Sequence, residues 1–131
     1  MADSLWMRLR EIPWAKYPTA TPSKKTIPKI LENLASRKES RAIKASHELW
    51  QALCTGGVSP AARPCLPFLV EILTISDAAV QSEILDLLIR FSKEDGLKAF
   101  LKKQCLHIRA NIRSKDEIVQ GKIAELLENI S

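Results

Sequence analysis

Aromatic residues make up only 5% of this 131-residue chain, while leucine, isoleucine and alanine abound. That balance favours helices over a β-sandwich. Cysteine is sparse and odd in number: Cys54, Cys65 and Cys105 cannot close into a disulfide framework, and they suit a reducing cytoplasm better than a secreted scaffold. No apolar run approaches the ~18 residues needed to cross a bilayer. The segment opening at Met1 has no basic stretch leading into an apolar core, so no secretory signal is expected there. Membrane-spanning, collagen-like and disordered classes are thereby set aside. With 46% apolar residues, a chain of this length can bury about two-thirds of its unfolded surface without a disulfide or a metal, and one domain over residues 1–131 is expected.

The familiar spacings of catalytic and ligand-binding motifs are missing as well. There is no Cys-x-x-Cys, no His-Glu-x-x-His, no phosphate-binding glycine loop and no nucleophile elbow. Cys105 and His107 lie two apart, and such positions on a helix do not face one another. His47 and Cys54 share a helical face, but seven residues separate them by about 10 Å along the axis, too far for a dyad or a shared metal. Each cysteine is most simply a small buried apolar group. The chain is accordingly read as a non-enzyme, with no catalytic residue, no metal, no cofactor, no small-molecule substrate and no membrane partner.

What the sequence does contain is helical periodicity. All seven prolines fall at or before position 67. Pro13, Pro18 and Pro22 break the first two dozen residues into a lead-in over 1–24, whose Trp6 and Trp14 are expected to anchor it over the first repeat. Thr26 can cap a first helix bearing Ile27, Ile30, Leu31 and Leu34. Ser36 and Glu39 have the spacing of a capping box ahead of a second helix, with Ala42, Ala45, Leu49 and Leu53 on one stripe. Trp50 flanks that stripe and is read as core, and Gly56-Gly57 is a stop signal. Ser59-Pro60 opens a third helix with Leu66, Leu69, Val70 and Leu73 inward; Pro64 and Pro67 lie further in. Ser76-Asp77 caps a fourth, striped by Val80, Ile84, Leu87, Leu88 and Phe91. A less clean fifth runs from about Lys93 to Arg109. Ser114 and Glu117 form a second capping box before a sixth, which carries Val119, Ile123, Leu126, Leu127 and Ile130.

The helices come in pairs that resemble one another. Pro28, Ile30, Leu31, Glu32 and Leu34 recur 39 positions on as Pro67, Leu69, Val70, Glu71 and Leu73. Glu48-Leu49-Trp50 recurs after 38 positions as Asp86-Leu87-Leu88, and after 39 more as Glu125-Leu126-Leu127. Two helices per period of 38–39 residues lies at the short edge of the HEAT/armadillo range. One amphipathic pair cannot bury its own face, whereas three stacked pairs share a core. The expected fold is therefore all-α: a short α-α superhelix of about three antiparallel helix pairs.

The segments Ile12-Pro-Trp-Ala-Lys-Tyr, Ile27-Pro-Lys-Ile-Leu-Glu-Asn-Leu, Glu48-Leu-Trp-Gln-Ala-Leu-Cys and Ala61-Ala-Arg-Pro-Cys-Leu-Pro-Phe-Leu-Val-Glu-Ile-Leu resemble a group of bacterial HEAT-like repeat proteins, over about residues 12–92. Many of those carry His-Gln-Gly-Thr after the tryptophan-bearing helix. Here the matching place reads Thr55-Gly56-Gly57-Val58, and the histidine is absent. Proteins of this kind serve as immunity partners of bacterial toxins, and the resemblance implies that role by analogy.

Charge is unevenly spread. The net charge is +5, with +3 over residues 1–25, zero over 26–92, +5 over 93–115 and −3 over 116–131. If stacked repeats present the polar sides of their second helices as one surface, that surface draws on Arg41, Lys44, Glu48 and Gln51, then Gln81, Glu83, Asp86 and Arg90, then Lys122, Glu125 and Glu128. Its mixed signs suit a protein partner, in the first place a cognate toxin domain. Lys98, Lys102, Arg109 and Arg113 form a second candidate face, at near-whole-turn spacing in the basic segment. The alternative function is nucleic-acid binding through that segment, 93–115.

Overall fold

The structure, a computed structural model, describes residues 7, 9, 11–12, 27–54, 58, 61–111 and 116–130, with the side chains of residues 95 and 105–111 left undescribed. Six helices are labelled in chain order: α1 (Ile27–Leu34), α2 (Glu39–Cys54), α3 (Ala62–Ile75), α4 (Ala78–Ser92), α5 (Asp95–Asn111) and α6 (Glu117–Ile130). Among the described residues there is no strand, and no helix is long and apolar enough to cross a membrane. Thr26, Ser59, Pro60, Gly56, Gly57, Trp6, Trp14, Arg113 and Ser114 lie outside the described residues.

Each apolar stripe faces inward as its 3.6-residue period requires. Ile27, Ile30, Leu31 and Leu34 are buried on α1; Ala42, Ala45, Leu49 and Leu53 on α2; Leu66, Leu69, Val70 and Leu73 on α3; Val80, Ile84, Leu87, Leu88 and Phe91 on α4. Val119, Leu126 and Ile130 do the same on α6, with Ile123 and Leu127 packed at the margin. One continuous apolar cluster runs from Leu9 to Ile130, so the lead-in touches the core at least at Leu9. Trp50 departs from the expectation. It is 39% exposed, because the α2 stripe is centred on Leu49 and Leu53 and leaves position 50 on its flank.

Helix starts differ in detail from the sequence reading. Asp116, one residue before α6, accepts the Val119 backbone N–H on Oδ1 at 3.0 Å and so caps α6, while Ser114 of the expected capping box lies outside the described residues. Ser36 accepts the N–H of Lys38 at 3.2 Å, a local turn two residues long, and α2 begins only at Glu39. Between α3 and α4 the division of labour is reversed. Ser76 Oγ donates to the Ile72 carbonyl at 2.6 Å and serves the helix behind it, while Asp77 caps α4 through its backbone carbonyl, which accepts the Gln81 N–H at 2.8 Å. Pro67 sits on the exposed side of α3, where the hydrogen bond it forfeits lies open to solvent, and the helix continues through it.

Alternate helices contact one another: α2 packs on α4 and α4 on α6, while α1 meets α3 and α3 meets α5. Among sequential helices, α1 packs on α2 most extensively, and α3 packs on α4, α4 on α5 and α5 on α6. Polar ties across these contacts fix direction. Asp86 of α4 meets Lys122 of α6, and Ser92 of α4 meets Asn129 of α6, so both positions advance together and the two helices run parallel.

Candidate functional site

The exposed sides of α2, α4 and α6 form one polar ledge, held in register by side chains that cross from helix to helix. His47 Nε2 of α2 stands 3.6 Å from Glu83 Oε2 of α4. Lys122 Nζ of α6 lies 2.9 Å from Asp86 Oδ1 and donates to Ser82 Oγ at 2.7 Å. Asn129 Nδ2 donates to Ser92 Oγ at 3.1 Å. Every buried side-chain nitrogen or oxygen among the described residues has a hydrogen-bond partner.

The residues expected to bind a partner divide into three groups. Arg41 and Lys44 are exposed on α2, and Glu125 is exposed on α6. Asp86 and Arg90 are half-buried and already engaged, Asp86 by Lys122 and Arg90 by Glu94 at 3.0 Å; Glu48 is engaged as well. Gln81 does not belong to the surface. It is 8% exposed, and its Nε2 donates to the Leu73 carbonyl at 3.0 Å, satisfying one of the last carbonyls of α3 at the tight α3–α4 turn. The polar label on Gln81 conceals this, because a carbonyl left over at a helix end is invisible in sequence.

Lys98 and Lys102 are exposed on α5, one turn apart, as expected of a cationic face. The backbone of Arg109 continues the same helix, while Arg113 falls outside the described residues. The inner side of α5 is tied to α3, where the Arg63 guanidinium lies 5.5 Å over the Phe100 ring.

The two described thiols, Cys54 and Cys65, do not make a reactive site, and the side chain of Cys105 lies outside the described residues. Burial pushes the Cys54 thiol up to about 11, with Arg90 pulling it back and Glu94 adding to the rise. Burial alone pushes the fully enclosed Cys65 higher still. Neither forms a thiolate readily near neutral pH. Among the described residues no three His, Cys, Asp or Glu side chains come together as metal ligands would.

Sequence reasoning missed two features of this ledge. His47 was weighed only against Cys54 on its own helix, whereas it pairs across to α4. Trp50 was assigned to the core and is instead exposed beside that pair. The 36-residue separation of His47 and Glu83 is the one signal that could have joined them, since it nearly equals the period of the repeated pattern. No protein-family model matches the chain, and no curated protein or solved structure shows significant similarity to it.

Proposed function

We propose that the chain is a non-catalytic, protein-binding module built from three HEAT-like helix pairs stacked as a short superhelix. The observation that carries this reading is the ladder of ties between second helices. His47–Glu83 and Asp86–Lys122 are each separated by 36 residues, Ser92–Asn129 by 37 and Ser82–Lys122 by 40. These separations bracket the 38–39-residue period of the sequence, as stacked equivalent units would require. A row of parallel helices held this way offers a rigid, extended, mixed-charge surface, and such surfaces suit a complementary folded protein.

The specific role, neutralising a cognate bacterial toxin in the cytoplasm, rests on the sequence resemblance over residues 12–92, and two free thiols in the described chain are compatible with a reducing compartment. The test is co-expression with the product of each neighbouring gene. A stoichiometric complex on size-exclusion chromatography, together with relief of growth arrest caused by that product, is the expected result. Binding to random duplex DNA at physiological salt, with affinity falling steeply as salt rises, would replace this reading with the nucleic-acid one.

A further inference from the structure

We infer that the outer sides of α5 and α6 dock a second copy of the chain, in a weak two-fold dimer held by opposite charges. This goes beyond the protein-binding reading and does not depend on it. α5 packs on α3, α4 and α6, and α6 packs on α4 and α5, so this pair closes the order of helices and turns one side to solvent. The pair is also the most polarised part of the chain, +5 over residues 93–115 and −3 over 116–131. On α5 the half-buried Phe100 lies under Arg63 of α3. Lys98 and Lys102 each stand two residues from it, about 160° around the helix, and are exposed on the side away from α3. On α6 the residues that meet α4 are Lys122 and Asn129. The exposed Glu117 and Glu128 lie about 100–140° around from both, and their spacing of eleven residues, three turns, puts them on one side of the helix. The small, exposed Ala124 stands between them and leaves room for a close approach. Lys98, Lys102 and Glu117 are in no ion pair among the described residues.

A basic row on one helix beside an acidic row on its antiparallel neighbour is complementary to itself, which is what a two-fold interface requires. The two helices are antiparallel because Asn111 and Glu117 are six residues apart, a reach of about 20 Å, too short to run back along the about 25 Å of α5. A two-fold axis parallel to the helices and midway between them lays α5 of one protomer over α6 of its partner. Measured from the middle of the connection, Lys98 and Lys102 stand sixteen and twelve residues along α5, and Glu128 stands fourteen along α6. The partner's Glu128 therefore falls between the two lysines, about 3 Å in height from each. The backbone of Arg109 follows Lys98 by the same eleven residues that separate Glu117 from Glu128, and it comes within about 3 Å of the height of the partner's Glu117. The match is made twice, once on each side of the axis. The two helices offer about 400 Å² of flat face per protomer, half of what a standard interface buries, so the dimer is weak, reversible and sensitive to salt.

The experiment is analytical ultracentrifugation of the purified full chain over about 5–500 μM, at about 0.05 M and about 0.5 M salt. The expected result is a monomer–dimer equilibrium in low salt that dissociates at least tenfold more readily in high salt. Lys98→Glu with Lys102→Glu makes both rows acidic, and Glu117→Lys with Glu128→Lys makes both rows basic. Each double variant alone should be monomeric, with an unchanged circular dichroism spectrum, since all four side chains are exposed. Mixed in equal amounts, the two variants should form a one-to-one heterodimer, because each then carries what the other lacks. That recovery also shows that both variants are folded. A chain that stays monomeric throughout in low salt overturns the inference. So does a dimer that neither reversal weakens, or a mixture that forms no heterodimer. Assembly that grows past two copies, or that disappears on nuclease treatment, overturns it as well. None of these results touches the protein-binding reading, since the ledge residues of α2 and α4 stand outside this face.

Discussion

Leu87 and Asp116 separate two kinds of contribution that one residue can make. Leu87 is 1% exposed within the α4 stripe, so Leu87→Ala loses transfer free energy and leaves a cavity, and should cost about 2–5 kcal/mol. Asp116 is exposed and supplies one cap bond to the Val119 N–H, so Asp116→Ala should cost about 1 kcal/mol. Urea melts of the two variants check the order; a costlier cap would contradict it. The thiols make a pH prediction. The folded state holds the Cys54 proton up to about 11, against an ordinary thiol value of 9.0, so above pH 9 the unfolded chain sheds that proton first. Stability should therefore fall as pH rises from about 9 towards 11, with Cys65 adding in the same direction, and Cys54→Ser should flatten part of the slope. Alkylation under native conditions at pH 8 should be slow at Cys54 and undetectable at Cys65 until the chain unfolds.

At the scale of elements, Lys122 is the clasp between α4 and α6. Its ammonium, 27% exposed, meets Asp86, 43% exposed, together with the Ser82 hydroxyl. A half-exposed pair of this kind is worth little by itself, so a double-mutant cycle of Lys122→Ala and Asp86→Ala should give a coupling of about 0.5–1 kcal/mol. The loss should be local. Amide exchange should rise in α6 and leave α2 unchanged, because the buried Val119, Leu126 and Ile130 still hold α6 in place. Exchange that rises equally in α2 would mean that the helices unfold only as a unit. Periodicity made the helices and their inward faces legible, since Ile84, Leu87, Leu88 and Phe91 can share one side of nothing but a helix. Cap choice was less legible: Asp116 supplies the α6 cap bond, and residue type alone does not say which of several good N-cap residues near a helix start will do so.

For the whole molecule the distribution of unpaired charge matters more than the net +5. Cations stand free on α2 and α5, while Asp86 and Glu94 are paired with Lys122 and Arg90. Reversing Lys98→Glu together with Lys102→Glu should change stability by less than about 0.5 kcal/mol, since both are exposed and without ion pairs among the described residues. If the partner docks on the ledge of α2, α4 and α6, the same double reversal should leave the rate of association with a copurified partner nearly unchanged in low salt. A tenfold slower rate there, recovering in high salt, would move the docking surface to α5.

The sequence alone determined the helical class and the inward stripes, because apolar spacing is a property of each segment by itself. The repeat of Glu48-Leu49-Trp50 as Asp86-Leu87-Leu88 and Glu125-Leu126-Leu127 also stands in the sequence and suggests equivalent units. Only the tertiary structure decided that Gln81 is buried against the Leu73 carbonyl, that His47 faces Glu83, and that Trp50 emerges beside them. Those outcomes depend on the rotation of one helix against the next, which groups from separate segments set together: a leftover carbonyl, a carboxylate 36 residues away, and the room left beside a neighbouring stripe.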